Sequence, residues 1–122
     1  MNECAASRRQ LAEEFLNYKS VFLALGDETR QQILLALLEH ETVGMRVGEI
    51  TCSTHLSRPA VSHHLKILMD ARLISMHRSG TRNYYYVDAN LSCWNGLKEL
   101  IEHISDTVNH ANACGYPGMK EE

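Results

Sequence analysis

Residues 56–66 read Leu56-Ser57-Arg58-Pro59-Ala60-Val61-Ser62-His63-His64-Leu65-Lys66, and this stretch decides the fold. Ser57 suits a helix N-cap, and a proline is tolerated in the first turn because the N–H it lacks has no intrahelical partner there. The helix it starts runs to about residue 71. Val61, Leu65 and Leu68 recur at steps of four and three and make a core stripe. Arg58, Pro59, Ser62, His63, Lys66 and Asp70 fall on the other side. One face is apolar and the opposite face polar and basic.

Just upstream, residues 47–54 read as a short helix with Val47, Ile50 and Thr51 turned inward. Two helices joined by so tight a turn make a helix-turn-helix over about residues 47–71. Just downstream, residues 73–77 read as a short strand, Ser79-Gly80-Thr81 as a turn, and residues 83–87 (Asn-Tyr-Tyr-Tyr-Val) as a strand rich in β-formers. They make a hairpin over about residues 73–87, with Arg78, Thr81 and Arg82 at its tip. A helix-turn-helix followed by such a hairpin is a winged helix-turn-helix: mainly α, with one small β-hairpin.

Further out, Leu11, Phe15, Tyr18, Phe22 and Leu25 share one stripe, which predicts a first helix over about residues 7–25, stopped by Gly26. Asp27 reads as the N-cap of a second helix that carries Ile33, Leu34, Leu37 and Leu38 inward. A last helix is predicted over about residues 91–112. Leu97, Leu100, Ile101, Ile104, Val108 and Ala111 form one stripe on it, and His103, Asp106, His110 and Cys114 form another. The tail after Cys114 is expected to fray.

The 122 residues favour a single domain, 44% hydrophobic and 22% charged, an ordinary globular balance. No apolar run approaches the roughly 20 residues that cross a bilayer, and the polar stretch of residues 1–9 is unlike a signal peptide. The expected compartment is the cytoplasm, with no membrane partner and with Cys4, Cys52, Cys93 and Cys114 as thiols, metal ligands or redox sensors rather than disulfides. Net charge is −3, which at first argues against a nucleic-acid partner. The distribution reverses that. Between His55 and Asn83 stand five basic residues and one acid, a net of +4, which leaves −7 on the remainder. A basic stripe on an acidic protein is the footprint of a polyanion site.

A recognition helix of this kind enters the DNA major groove with its N-terminal residues at the base edges. Ser62 and His63 can hydrogen-bond there, and Arg58 can reach a guanine edge or a phosphate. Lys66 is placed for a phosphate, a contact that positions without specifying sequence. Ser57 and Pro59, which set the helix start, are counted with them as DNA-binding residues. Arg78, Thr81 and Arg82 stand where a wing meets the backbone or the adjacent minor groove.

Several stretches resemble the ArsR/SmtB family of bacterial metal-responsive repressors. Leu25-Gly26-Asp27-Glu28-Thr29-Arg30 followed by Ile33-Leu34 looks like its opening signature. Residues 56–66 resemble its recognition helix, and Arg78-Ser79-Gly80 with Tyr84-Tyr85-Tyr86 its wing. One departure is Arg72, where many members carry glycine. The resemblance implies a homodimer whose first and last helices are dimerisation helices. It would bind an imperfect palindrome of double-stranded operator DNA and repress until an inducer releases it. Two amphipathic flanking helices without another partner agree with that.

The inducer is less legible. The family's thiol site in the short helix needs a Cys-x-Cys pair, and this chain has Arg46, Val47 and Gly48 there. Its zinc site on the last helix finds a counterpart in His103 and Asp106, but its first pair falls on Asn90 and Ser92, which are poor ligands. His103, Asp106, His110 and Cys114 share one helical face and are a candidate site for zinc or another transition metal. Cys4, Cys93 and Cys114 are candidates for a thiol-reactive signal. No phosphate loop, nucleophile elbow or His-Glu-x-x-His run points to an enzyme. The rival reading is a winged helix used for protein contacts, and the +4 segment argues against it.

Overall fold

The computed structural model describes residues 3–40, 44–88 and 93–113, with side chains placed over 5–40, 44–88 and 93–110. In chain order the elements are α1 (Glu3–Asn17), α2 (Lys19–Leu25), α3 (Glu28–Glu39), α4 (Val47–Thr54), α5 (Arg58–Asp70), β1 (Ser75–Ser79), β2 (Arg82–Tyr86) and α6 (Trp94–Ala113). They fall into two compact units, one of Met1–Tyr18 with Gly96–Glu122, the other of Lys19–Asn95.

The larger unit is the winged helix-turn-helix. Its helices pack on Ile33, Ile50, Val61, Leu65, Leu68 and Leu73, each almost wholly buried. Each such side chain contributes about 1.5–3 kcal/mol by leaving water. The corner between α2 and α3 is built from side chains of α3. Arg30 Nε donates to the Ala24 carbonyl at 2.8 Å and Nη2 to that of Leu23 at 3.2 Å, while Gln31 Nε2 donates to Leu25 at 2.7 Å. These bonds satisfy the last carbonyls of α2, which have no partners within their own helix. Asp27 caps α3 by accepting from the Arg30 N–H at 3.0 Å, and that bond above all holds its carboxyl below the ordinary aspartate value.

Helix α5 leaves its last turn through a left-handed residue, Arg72, at φ 65°. Leu73 N–H donates to Leu68 at 3.0 Å and Arg72 N–H to Met69 at 2.9 Å, the paired bonds of a Schellman exit. Leu73 and Ile74 are thereby drawn into the core. For that reason β1 begins at Ser75 and not at residue 73, as the β-pattern suggested. The strands are antiparallel with Ser79 opposite Arg82, so the turn is two residues, Gly80-Thr81. Gly80, at φ 64°, supplies the positive angle that a two-residue hairpin needs. Met45 and Tyr85 exchange two backbone hydrogen bonds, at 2.9 and 2.8 Å, and tie the segment before α4 to the wing.

Two expectations are corrected. The single helix over residues 7–25 is two helices, because the Tyr18 N–H turns back to the Phe15 carbonyl at 3.0 Å, three residues away, and steps out of the α-helical ladder. Leu38, expected inward, is 59% exposed, because it lies about 100° beyond Leu37 and off the arc that Ile33, Leu34, Ala36 and Leu37 bury. The last helix starts at Trp94 among the described residues, and residues 91 and 92 of its expected start lie outside them. Trp94 Nε1 donates to the Leu73 carbonyl at 2.8 Å and Cys93 N–H to that of Arg72 at 2.9 Å.

In the smaller unit Leu97 and Leu100 of α6 are buried, and His103 Nδ1 lies 2.8 Å from Glu14 Oε1 of α1. Phe15, Leu16, Ile101 and Val108 remain between 46% and 68% exposed.

Candidate nucleic-acid interface

The geometry of α5 follows from its first four residues. Ser57 Oγ accepts from the Ala60 N–H at 3.2 Å and fixes where the helix begins. From that start Val61, Leu65 and Leu68 face the core, and Arg58, Pro59, Ser62, His63 and Lys66 are all exposed. Lys66 Nζ lies 3.4 Å from Asp70 Oδ2, a solvated pair worth little, so a phosphate can displace it. The turn from α4 is three residues long. His55 takes a left-handed conformation there, φ 61°, and donates its N–H to Thr51 at 2.8 Å.

His64 points away from that face. It is half-buried, with Nδ1 3.1 Å from Arg30 Nη1. Its neighbour His63 meets it edge-on with ring centroids 5.2 Å apart.

On the wing, Arg78, Thr81 and Arg82 are exposed. Arg78 Nε donates to the Gly80 carbonyl at 3.2 Å, which folds it over the turn. An open cleft of about 1000 Å³ is lined by the start of α4, the start of α5 and the wing tip, with Arg46, Arg58 and Arg82 in its walls. The sequence pattern singled out Arg58 and Arg82. It missed Arg46, whose signal was its place at an N-cap, where an arginine side chain offers no acceptor.

The sensor candidates are less drawn together. Asp106 and His110 are exposed on α6, and His103 is held by Glu14. Among the described residues no group of three or more His, Cys, Asp or Glu side chains is placed to hold a metal ion. Cys114 and the tail lie outside the described residues, as does the side chain of Cys4. Cys93 is half-buried, and burial pushes its thiol above the ordinary value, which lowers its thiolate fraction.

Residues 27–76 match the sequence profile of the bacterial regulatory proteins of the arsR family. The transcriptional repressor SdpR of Bacillus subtilis (strain 168) is 39% identical over 90 residues, which cover 74% of this chain and 91% of that protein. The chain belongs to the ArsR family. ArsR-family proteins are transcriptional regulators, and among the described residues no helix is long and apolar enough to cross a membrane. The fold agrees with that of solved ArsR-type structures. An ArsR-like transcriptional regulator from Rhodococcus sp. RHA1 superposes with a TM-score of 0.74 at 24% identity, over 84% of this chain and 90% of that one. The cadmium metal-sensor CMTR of Mycobacterium tuberculosis is 30% identical, with a TM-score of 0.51, over 68% of this chain and 82% of that one.

Proposed function

We propose that the protein is a homodimeric, sequence-specific repressor that binds an imperfect palindrome of double-stranded operator DNA. The observation that carries this reading is the division of α5, with Val61, Leu65 and Leu68 fully buried and Arg58, Ser62, His63 and Lys66 exposed on the opposite side. Ser62, His63 and Arg58 would read base edges. Lys66, Arg78, Thr81 and Arg82 would hold backbone, and Ser57 and Pro59 would set the start of the helix. The exposed Phe15, Leu16, Ile101 and Val108 supply apolar surface for a two-fold contact. Such a regulator works in the cytoplasm.

Release by a metal ion or a thiol-reactive agent is the class of signal we infer, supported by the similarity to the mycobacterial cadmium sensor. The metal donors would be His103, Asp106, His110 and Cys114. The described residues alone do not build that site, since His103 already has Glu14 as its partner. Cys4, Cys93 and Cys114 are the thiols that would answer an oxidant.

The test is anisotropy of the protein on labelled duplex from its own upstream region, with salt raised stepwise. Affinity falling steeply with salt, and more strongly retained on the upstream duplex than on an unrelated one, supports the reading. Weak binding that ignores both salt and sequence would sink it. Adding zinc, a thiophilic metal and a mild oxidant to separate samples of the complex then sorts the inducer.

A further inference from the structure

His64 stands apart from the other polar residues of α5, because it is half-buried and turns away from the presented face. Its Nδ1 lies 3.1 Å from Arg30 Nη1 of α3. Arg30 is anchored on the far side of that contact. Its Nε donates to the Ala24 carbonyl at 2.8 Å, its Nη2 to that of Leu23 at 3.2 Å, and its backbone N–H to Asp27 Oδ2 at 3.0 Å. The guanidinium is thus a fixed post, and the imidazole fastens α5 to it. Val61 and Leu65 hold α5 to the core, but apolar contact has no direction. A hydrogen bond does. This one restrains rotation of the first two turns of α5 about the helix axis, and Ser62 and His63 ride on those turns. His63 meets the His64 ring edge-on with centroids 5.2 Å apart, so a turn of one ring is felt by the other.

An arginine side chain only donates, so the bond requires a neutral imidazole with its proton on Nε2. A proton added to Nδ1 turns the acceptor into a second cation facing the guanidinium. The bond is then lost and the contact becomes repulsive. Burial disfavours the charged ring most. Asp27, at the start of α3, favours it, while Arg30 of α3 and His63 of α5 disfavour it. Arg30 keeps its bonds to α2 and to Asp27 in either state, so α5 is the partner that gives way. We propose that Arg30 and His64 are positioning residues for operator reading: a neutral His64 holds α5 at the rotation that presents Ser62 and His63, and a proton on His64 releases that hold. Operator recognition is thereby acid-sensitive through a group that turns away from the DNA. The proposal rests on the reading of α5 as the DNA-recognition helix.

The experiment measures the ratio of affinities for operator and unrelated duplex between pH 7.5 and 5.0 at constant ionic strength. It uses the full chain, His64→Gln and His64→Leu. A glutamine offers Arg30 an amide oxygen and takes no proton in that range, and a leucine offers nothing. His63 and its own titration are common to all three proteins. The wild-type ratio should fall about twofold to tenfold with falling pH, the range that one hydrogen bond spans. His64→Gln should keep the neutral wild-type ratio throughout, and His64→Leu should stay at the acid one. In DNA-free protein, nitrogen-15 resonances of the His64 ring and of the Ser62 amide are followed over the same range. The ring should carry its proton on Nε2 at pH 7.5, and the Ser62 amide should titrate with it in the wild type but not in His64→Gln. A wild-type ratio indifferent to pH, or a fall that His64→Gln shares, overturns the proposal. So does a ring protonated on Nδ1 at pH 7.5, a Ser62 amide that ignores the ring's titration, or a His64→Leu chain that keeps the full ratio. If His64→Leu fails to fold, the wild type against His64→Gln decides. Should the wild-type chain bind no duplex at all, the DNA reading fails, and the joint titration of ring and Ser62 amide alone sustains or overturns the hold on α5.

Discussion

His64 Nδ1 of α5 lies 3.1 Å from Arg30 Nη1 of α3. An arginine side chain can only donate, so the imidazole must accept, which requires a neutral ring with its proton on Nε2. The same Arg30 closes the end of α2 through the Leu23 and Ala24 carbonyls. One guanidinium therefore joins three helices behind the presented face, and the charge state of His64 bears on its placement.

Burial pushes the His64 pKa below its ordinary 6.5, and the nearby Arg30 and His63 charges add to the shift against the opposing pull of Asp27. The unfolded chain then takes up the proton more readily than the folded one, so stability rises with pH through this window. Its contribution is complete above about pH 6.5 and is lost as pH falls towards the depressed folded value. Melting temperature measured from pH 7.5 down to 5.5 should fall more steeply for the wild type than for His64→Gln. Equal slopes would mean that other groups carry the acid sensitivity.

The two classes of DNA contact should separate by mutation. Arg58→Ala, Ser62→Ala and His63→Ala should each weaken operator binding by about 1–3 kcal/mol and narrow the gap between operator and unrelated duplex. Arg82→Ala should weaken both duplexes alike. Competition assays with shuffled half-sites measure that gap directly. If all four variants left affinity unchanged, α5 and the wing would not be the docking face.

The exposed apolar side chains of α6 make a third expectation. Ile101→Glu or Val108→Glu places a charge where a two-fold contact would exclude water, so the sedimentation mass should fall to that of a monomer. Operator affinity should drop with it, because paired half-sites need two recognition helices. The far-ultraviolet dichroism should not change, since both residues are at least 50% exposed in the single chain. A variant that stayed dimeric would move the contact to another face.

Much of the helix-turn-helix was legible because caps, stripes and charge agreed. Ser57 fixed the start of α5, and everything on its two faces followed at helical spacing. The break at Tyr18 was not legible, since no glycine or proline marks it and the apolar stripe runs straight through. Nor was the outward turn of Leu38, which depends on how wide an arc the neighbouring helices cover. The cleft escaped for a different reason. Arg46, Arg58 and Arg82 are far apart in sequence and meet only because the Met45–Tyr85 rung brings the wing beside α4.

That rung depends on a glycine. Gly44 has φ 145°, and a Cβ there would come within 3.0 Å of Tyr84 Cβ and 3.2 Å of the Tyr85 carbonyl. Gly44→Ala should therefore strain the backbone by about 1–3 kcal/mol and weaken the wing's attachment. Arg72 poses the opposite case. It holds a left-handed angle at the exit of α5, where the Schellman geometry favours glycine. Arg72→Gly should relieve about 1 kcal/mol of that strain, partly offset by the freedom glycine gains in the unfolded chain. Urea titrations should place the Gly44→Ala midpoint below the wild type and the Arg72→Gly midpoint at or above it. A clear loss of stability in Arg72→Gly would show that its side chain contributes more than its backbone angle costs.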